Sequence, residues 1–214
     1  MKARIILLIC AALLLGAMSA QGAELELSGW SLDELYAARE AIDARINALE
    51  QGSGQVYDSG SYLIGRDIPA GDYVMTENDD AVFASAIVRE GVTEDSGLVS
   101  HHLINRQAVM RLSEGRWLTL TEAQATPLAQ AARCDSGYAG EGGYLVGVTL
   151  PAGRYTADII DKAPLSSYSV YDGVLGSGEQ LMKFEVIREA TEIELRDGEY
   201  IELSGCRLEP IELG

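Results

Sequence analysis

Few residues of this chain have the types and spacing that catalysis or metal binding requires. The only two histidines, His101 and His102, are adjacent, and adjacent side chains on a strand point to opposite faces, which prevents joint binding of one metal. The acidic run TENDD at 76–80 has oxygen ligands suited to calcium but lacks the alternating spacing of an EF-hand loop. A solvated loop is the favoured interpretation, and we predict no cofactor and no metal site.

The nucleophiles are equally sparse. A Cys–His pair would need a reduced thiol at Cys134 or Cys206, and neither GxSxG nor HExxH occurs in the sequence. The many acids include possible glycosidase pairs, but nothing in the sequence selects one. We therefore predict no catalytic residues, and a hydrolase remains the least favoured alternative.

The first residues predict export. Lys2 and Arg4 precede an apolar run, 5–15, and small residues continue through Ala23, which is the order of a secretory signal peptide. The run is shorter than the roughly 20 residues of a membrane-spanning helix. We expect residues 1–22 to be the signal peptide, although cleavage after Ser19 is also compatible. The mature protein should be secreted or belong to the periplasm or cell envelope, with no transmembrane segment.

The charge balance limits the partners. The chain has 16 Lys and Arg against 33 Asp and Glu, and loss of the signal peptide with Lys2 and Arg4 leaves 14 against 33, a formal charge of −19. Such a surface repels nucleic acid and anionic lipid. Acidity also favours cationic partners or divalent ions, but solubility is the favoured explanation.

Two cysteines remain after export, Cys134 and Cys206. In an oxidising compartment an even pair predicts a disulfide, which would enclose nearly the whole second repeat described below. A loop of roughly 70 residues would gain about 4 kcal/mol from such a bond. Two free thiols are the alternative.

An amphipathic helix follows the signal peptide. Ser31 and Glu34 have capping-box spacing, and an apolar stripe then continues at helical intervals up to Gly52; its members are Leu32, Leu35, Ile42, Ile46 and Leu49. We predict a helix over about 32–50, within a segment 23–53 that ends in a Gly/Ser linker. The stripe suits either weak self-association as a short coiled coil or packing on the protein's own β-structure, which is favoured.

The chain repeats one phrase. YLIGRDIPAGDY at 62–73 returns as YLVGVTLPAGRY at 144–155, with seven of twelve positions identical at an offset of 82; we call these the first and second PAG segments. LSEGRWLTLTEAQATPL from Leu112 matches LRDGEYIELSGCRLEPI from Leu195 at an offset of 83, so the second copy holds one extra residue between them. The repeat predicts two tandem modules, 54–130 and 131–214.

Both modules have the pattern of β-structure. Short alternating runs rich in β-branched and aromatic residues are separated by turns, which predicts a mainly β protein of two small antiparallel sandwich or jelly-roll-like modules after one helix. Within each PAG segment, proline fixes φ and glycine frees it, so we predict a hairpin corner with structural roles for Pro69, Gly71, Pro151 and Gly153. The glycines fit no phosphate-binding motif.

The aromatic residues offer one ligand hypothesis. Trp117, Tyr168 and Tyr171 lie in β-segments, where rings on a sheet face can stack on sugars. Rings that fill the rim of a small core are the favoured alternative. Coplanar exposure of the three would favour sugar binding, and burial would remove that support.

The segment LELSGWSLDELYAAREAIDARI together with the two PAG segments resembles a group of bacterial exported proteins that have an "LSLEEL" leader helix and "VG.DIPAG.Y" β-modules. The resemblance covers most of the mature chain, and the second copy departs from it at 148–150. It implies β-rich modules of the cell envelope or the secreted fraction and supplies no catalytic residues. We expect a non-enzymatic protein that binds a glycan or an envelope protein, with a calcium-assisted carbohydrate-binding or adhesion module as the alternative.

Overall fold

We describe the protein from a computed structural model, which defines residues 29–39, 42, 55–160, 163 and 165–211. The predicted signal peptide, the second half of the predicted helix and most of the Gly/Ser linker lie outside the described residues. The chain divides into two units, Met1–Ile42 and Asp43–Gly214, and each is described by itself.

The first unit contains the start of the predicted helix. Residues 32–39 form helix α1, and the capping box is present: the Ser31 N–H donates to Glu34 Oε2 over 2.9 Å, and the Glu34 N–H donates to Ser31 Oγ over 3.3 Å. These bonds lower the pKa of Glu34. Leu32 and Tyr36 are exposed. No helix among the described residues is long and apolar enough to cross a membrane.

The second unit begins with a seven-stranded β-sandwich, module 1. One sheet has the strand order β1-β6-β3-β4 and the other β5-β2-β7. The strands are β1 Gly60–Leu63, β2 Gly71–Glu77, β3 Ser85–Arg89, β4 Leu98–Leu103, β5 Gln107–Leu112, β6 Trp117–Thr121 and β7 Ala123–Pro127. A short 3-10 helix, Leu128–Gln130, follows β7.

Module 2 repeats this arrangement strand for strand. Its sheets have the orders β11-β10-β13-β8 and β12-β9-β14, so β8 corresponds to β1 and β14 to β7. The strands are β8 Gly142–Leu145, β9 Gly153–Ile159, β10 Ser167–Tyr171, β11 Leu181–Val186, β12 Thr191–Leu195, β13 Tyr200–Ser204 and β14 Cys206–Pro210. The predicted fold class, two tandem antiparallel β-sandwich modules after a helix, is confirmed.

The PAG segments are not hairpin corners. β1 and β2 belong to different sheets, as do β8 and β9, so each PAG segment carries the chain from one sheet of its sandwich to the other. The prediction of a hairpin was wrong because proline and glycine indicate a turn but do not indicate which strand pairs with which. Among the described strands, only β3–β4 and β10–β11 are consecutive strands paired as hairpins.

Residues of module 2 complete the hydrophobic core of module 1. The cluster that fills module 1 also contains Val174, Leu175 and Tyr200 from module 2, whereas a second cluster fills module 2 alone. Val174 and Leu175 lie in the β10–β11 loop, which is one residue longer than the β3–β4 loop. The extra residue of the second copy therefore lies in the loop that completes the core of module 1.

The predicted disulfide is not formed. Cys134 and Cys206 are both free thiols. Cys206 begins β14 opposite Ile159, whereas the turn that contains Cys134 places Gly137 against Pro210 at the far end of the same strand. The end of β14 that this turn contacts lies four strand residues, roughly 13 Å, from Cys206, and a disulfide needs Cα atoms within about 7 Å. An even cysteine count in the sequence carries no information on this separation.

Candidate functional site

Each PAG segment is held by the same local hydrogen bonds. The Gly65 N–H donates to the Ile68 carbonyl over 2.8 Å, and the equivalent Gly147 N–H donates to Leu150 over 2.7 Å. The Tyr73 hydroxyl donates to the Pro69 carbonyl over 2.9 Å, and Tyr155 repeats this bond to Pro151. The tyrosine hydroxyls therefore fix the turn from inside the sandwich.

In both PAG segments the side chain at one turn position accepts a backbone hydrogen bond, although the residue at that position differs. Asp67 Oδ2 accepts from the Leu63 N–H over 2.9 Å, and Thr149 Oγ1 accepts from the Leu145 N–H over 2.9 Å. The bonds to Arg66 and to the backbone lower the pKa of Asp67 to about 2. The departure of the second copy at 148–150 thus keeps the turn while replacing the Arg66–Asp67 pair by Val148 and Thr149.

A cavity lies beside the first PAG segment. It has a volume of about 450 Å³ and is lined by Gly71, Asp72, Arg111, Leu128, Ala129 and Val148. Arg111 makes a bidentate ion pair with Asp72, with Nε–Oδ1 and Nη2–Oδ2 distances of 2.7 and 2.8 Å. Val148 belongs to module 2 and forms one wall of the cavity, so a turn of module 2 meets module 1 at this place.

Module 2 also covers the free edge of β5 in module 1. The Arg111 N–H donates to the Leu175 carbonyl over 2.7 Å, and the Leu175 N–H donates to the Val109 carbonyl over 3.3 Å. Met110 and Leu175 form a parallel β-bridge. The β10–β11 loop therefore adds a short parallel strand segment to the edge of β5.

On the corresponding surface of module 2, no segment among the described residues adds to the edge strand. Beside the second PAG segment lies a cavity of about 780 Å³, which we call the module 2 cavity. Gly153, Arg154, Glu194 and Ile211 line it at the positions that Gly71, Asp72, Arg111 and Leu128 hold in module 1. All of its lining residues belong to module 2, whereas the cavity beside the first PAG segment is lined by both modules.

Around the module 2 cavity, acidic and basic side chains have exchanged positions relative to module 1. Arg154 stands where module 1 has Asp72, and it pairs with Glu192 over 2.6 Å. Glu194 stands where module 1 has Arg111 and lies 3.9 Å from Arg196. The cavity lining adds Asp135 and Asp197, and Arg133, outside the lining, lies 3.9 Å from Asp135. The cavity and the adjoining strand therefore carry more carboxylates than guanidinium groups.

β12 is the edge strand next to this cavity. Among the described strands it pairs only with β9, and Glu194 is opposite Arg154 in the same register as Arg111 opposite Asp72. The N–H of Glu194 and the carbonyl of Glu192 therefore point away from β9, as those of Arg111 and Val109 point away from β2. Both glutamate side chains are exposed, so this edge is accessible to a partner.

The three aromatic residues considered for sugar stacking do not form one exposed face. Tyr168 points into module 2, where its hydroxyl donates to Glu185 over 2.6 Å and accepts from Lys183. Tyr171 packs against the core of module 1, with its ring centroid 5.9 Å from that of the fully buried Tyr200. Trp117 is half-buried on a sheet of module 1.

The interface between the modules contains buried polar groups. Burial raises the pKa of Glu202, and burial together with the Glu202 carboxylate raises that of Tyr200. Burial lowers the pKa of His102, an effect that the Glu179 carboxylate opposes. The Tyr200 hydroxyl, His102 Nε2 and Asn78 Oδ1 are buried without a hydrogen-bond partner of ordinary geometry among the described residues. Within that part of the chain, no three His, Cys, Asp or Glu side chains gather as metal ligands.

Sequence analysis missed the residues that build this surface: Val148, Arg154, Leu175, Glu192 and Glu194. Two signals for them were present in the repeat. The pair Asp72 and Arg111 becomes Arg154 and Glu194 in the second copy, and the acidic loop Thr93–Glu94–Asp95 becomes Leu175–Gly176–Ser177. The first difference concerns the strands at the covered edge of module 1, and the second concerns the β10–β11 loop of module 2 that covers it. Only the sheet register shows that this edge and this loop are in contact.

No protein-family model, no curated protein and no solved structure matches this chain.

Proposed function

We propose that this chain is an exported, non-enzymatic binding protein of the cell envelope or the secreted fraction, and that module 2 binds another protein at its cavity and at the edge of β12. One observation carries the proposal: a segment of module 2 pairs with the edge of β5 in module 1, whereas no described residue pairs with the corresponding edge of β12. A surface that takes a turn and a strand segment in one copy has the geometry to take them in the other.

A protein ligand is favoured over a glycan for a physical reason. Sugar stacking needs exposed aromatic faces, but Tyr168 is buried and Tyr171 packs on module 1. The module 2 cavity instead presents ionic side chains beside free backbone hydrogen-bonding groups. These groups recognise peptide backbone and charged side chains.

The test is a binding screen of the mature chain, residues 23–214, against peptide and glycan arrays, repeated with a variant that fills the cavity. Ala152 is exposed and lines the cavity, so Ala152→Trp should reduce binding of peptide ligands by tenfold or more. Thr121→Trp places the same ring on an exposed position of module 1 and should change nothing. The proposal would be contradicted if the only ligands were glycans, or if Ala152→Trp did not weaken the binding of peptide ligands.

A further inference from the structure

The covered edge of module 1 defines what its counterpart in module 2 can accept. On β5, the segment around Leu175 runs parallel to the strand, exchanges two backbone hydrogen bonds with Arg111 and Val109, and places an apolar side chain in the core. At the same time Val148 lines the neighbouring cavity. The occupant is thus an extended segment and an adjoining side chain, both supplied by one protein.

The exposed charges of β12 select the chemistry of the occupant. Where module 1 offers Val109, which is buried by the β10–β11 loop, module 2 offers the exposed Glu192; where module 1 offers Arg111, module 2 offers Glu194. Across the edge, the cavity and the adjoining turn, the four carboxylates of Asp135, Glu192, Glu194 and Asp197 face three guanidinium groups, Arg133, Arg154 and Arg196. A segment with Lys or Arg next to its pairing residues complements this surface.

A second copy of this chain does not fit. Its module 1 would present the β3–β4 loop, in which Val92 and Thr93 stand in place of Val174 and Leu175 and are followed by Glu94 and Asp95. These acids are exposed and would approach Glu192 and Glu194, and like charges across an interface oppose association. Arg66, the counterpart of Val148, is already paired with Asp67 over 2.8 Å, so the first PAG segment would bring no uncompensated positive charge to the cavity, and head-to-tail growth of the chain is disfavoured.

The core of module 2 is filled by its own side chains, whereas the core of module 1 includes side chains from its neighbour. Ala86 in module 1 corresponds to Tyr168 in module 2, and Ser100 corresponds to Lys183. The Tyr168 ring is 1% exposed within the core of module 2, and Lys183 and Glu185 bind its hydroxyl. Backbone bonds and charge are therefore the interactions that β12 offers a partner.

Building on the proposed function, we propose that the edge of β12 and the module 2 cavity bind an extended basic segment of another protein. The segment pairs in parallel with β12 through the N–H of Glu194 and the carbonyl of Glu192, in the way that the β10–β11 loop pairs with β5. Its Lys or Arg side chains bind Glu194 and the acids of the cavity.

The test uses a peptide made from the chain's own pairing segment. The probe is residues 172–179 with Asp172→Lys and Glu179→Lys, and the control peptide keeps both acids. In an NMR titration of the mature chain at low salt, we expect the lysine peptide to shift the amide signals of 192–195 and to bind at least tenfold more tightly than the acidic peptide. The affinity should fall as salt is added.

Charge variants locate the site. The double variant Glu192→Lys/Glu194→Lys should weaken the lysine peptide by about tenfold or more. The control Glu94→Lys/Asp95→Lys changes the net charge equally on module 1 and should leave the site-specific shifts intact. Because all four positions are exposed, folding should be preserved, and Glu192→Gln/Glu194→Gln provides a milder second pair.

Several results would overturn the inference: no shift on β12 at millimolar peptide, equal binding of the acidic peptide, shifts elsewhere, or insensitivity to Glu192→Lys/Glu194→Lys. In that case the glutamates only protect an edge strand from aggregation. Sedimentation gives a further contradicting result. Dimers that form with rising concentration and that Glu192→Lys/Glu194→Lys abolishes would identify a second copy as the occupant. If the array screen yields ligands sensitive to Ala152→Trp while β12 binds no basic peptide, the proposed function stands and this inference fails.

Discussion

At the scale of single residues, the two free thiols differ in access. Cys206 is fully buried, and Cys134 is partly exposed. Burial, with a contribution from Asp135, raises the pKa of Cys134, and burial raises that of Cys206. Because the thiolate is the reactive form, both cysteines should react more slowly than a free thiol at neutral pH.

A thiol-labelling experiment checks this directly on the chain without residues 1–22. We expect one thiol per folded chain to react, at a rate that rises with pH, and two to react in denaturant. Cys134→Ser should leave no reactive thiol in the folded protein, and Cys206→Ser should leave one. Absence of any reactive thiol, with Cys134 and Cys206 peptides linked in unreduced digests, would restore the disulfide.

Glu202 makes the interface of the modules sensitive to pH. Its pKa is raised by burial, so the folded state favours the protonated form, and its contribution to stability is complete below the unfolded pKa and lost as the pH rises through the folded value. Glu202→Gln should therefore raise the thermal midpoint at pH 7. The gain should vanish below about pH 4, where both states of the wild type are protonated.

The control is Glu189→Gln, an exposed position, for which the midpoint difference should stay near zero across the same pH range. A Glu202→Gln variant that is less stable than the wild type at pH 7 would show that the carboxylate has a stabilising partner.

At the scale of elements, the β10–β11 loop is the part of module 2 that stabilises module 1. Leu175 is 4% exposed and belongs to the core of module 1, whereas Thr93, its counterpart in the β3–β4 loop, is exposed. Leu175→Ala should cost about 2–5 kcal/mol of unfolding free energy. Thr93→Ala should change it by less than about 0.5 kcal/mol. Denaturant unfolding of both variants measures the contrast, and similar small costs would refute the role of the loop.

The secondary-structure elements also separate the features that the sequence could predict from those that it could not. The strands, the helix start at Ser31 and the division into two copies follow from alternation, capping residues and the repeated phrase, because these are local signals. The path of the PAG segments between sheets, the separation of Cys134 from Cys206 and the inward direction of Tyr168 depend on which strands pair, and pairing is not local. Val148 and Leu175 have their structural roles only because they contact module 1, and no local sequence signal indicates that contact.

At the scale of the whole molecule, duplication explains both the joined core and the open surface. In a repeat array each unit contacts its neighbours through equivalent surfaces, so the edge of β12 is the counterpart of the edge of β5 that the β10–β11 loop covers. The counterpart differs by the large Tyr168 in place of Ala86 and by the glutamates of β12 in place of Val109 and Arg111. The proposed binding would use this counterpart surface.

The most direct test of this account is residue-resolved amide hydrogen exchange of the mature chain, comparing Arg111 with Glu194 after correction for intrinsic rates. The Arg111 N–H is bonded to the Leu175 carbonyl at 2.7 Å, whereas the equivalent N–H of Glu194 faces solvent. The account predicts that Arg111 exchanges more slowly by about 100-fold or more, and that the lysine peptide slows Glu194 but not Arg111. Equal exchange at the two positions in the free protein would contradict it, because the two edges would then be covered alike.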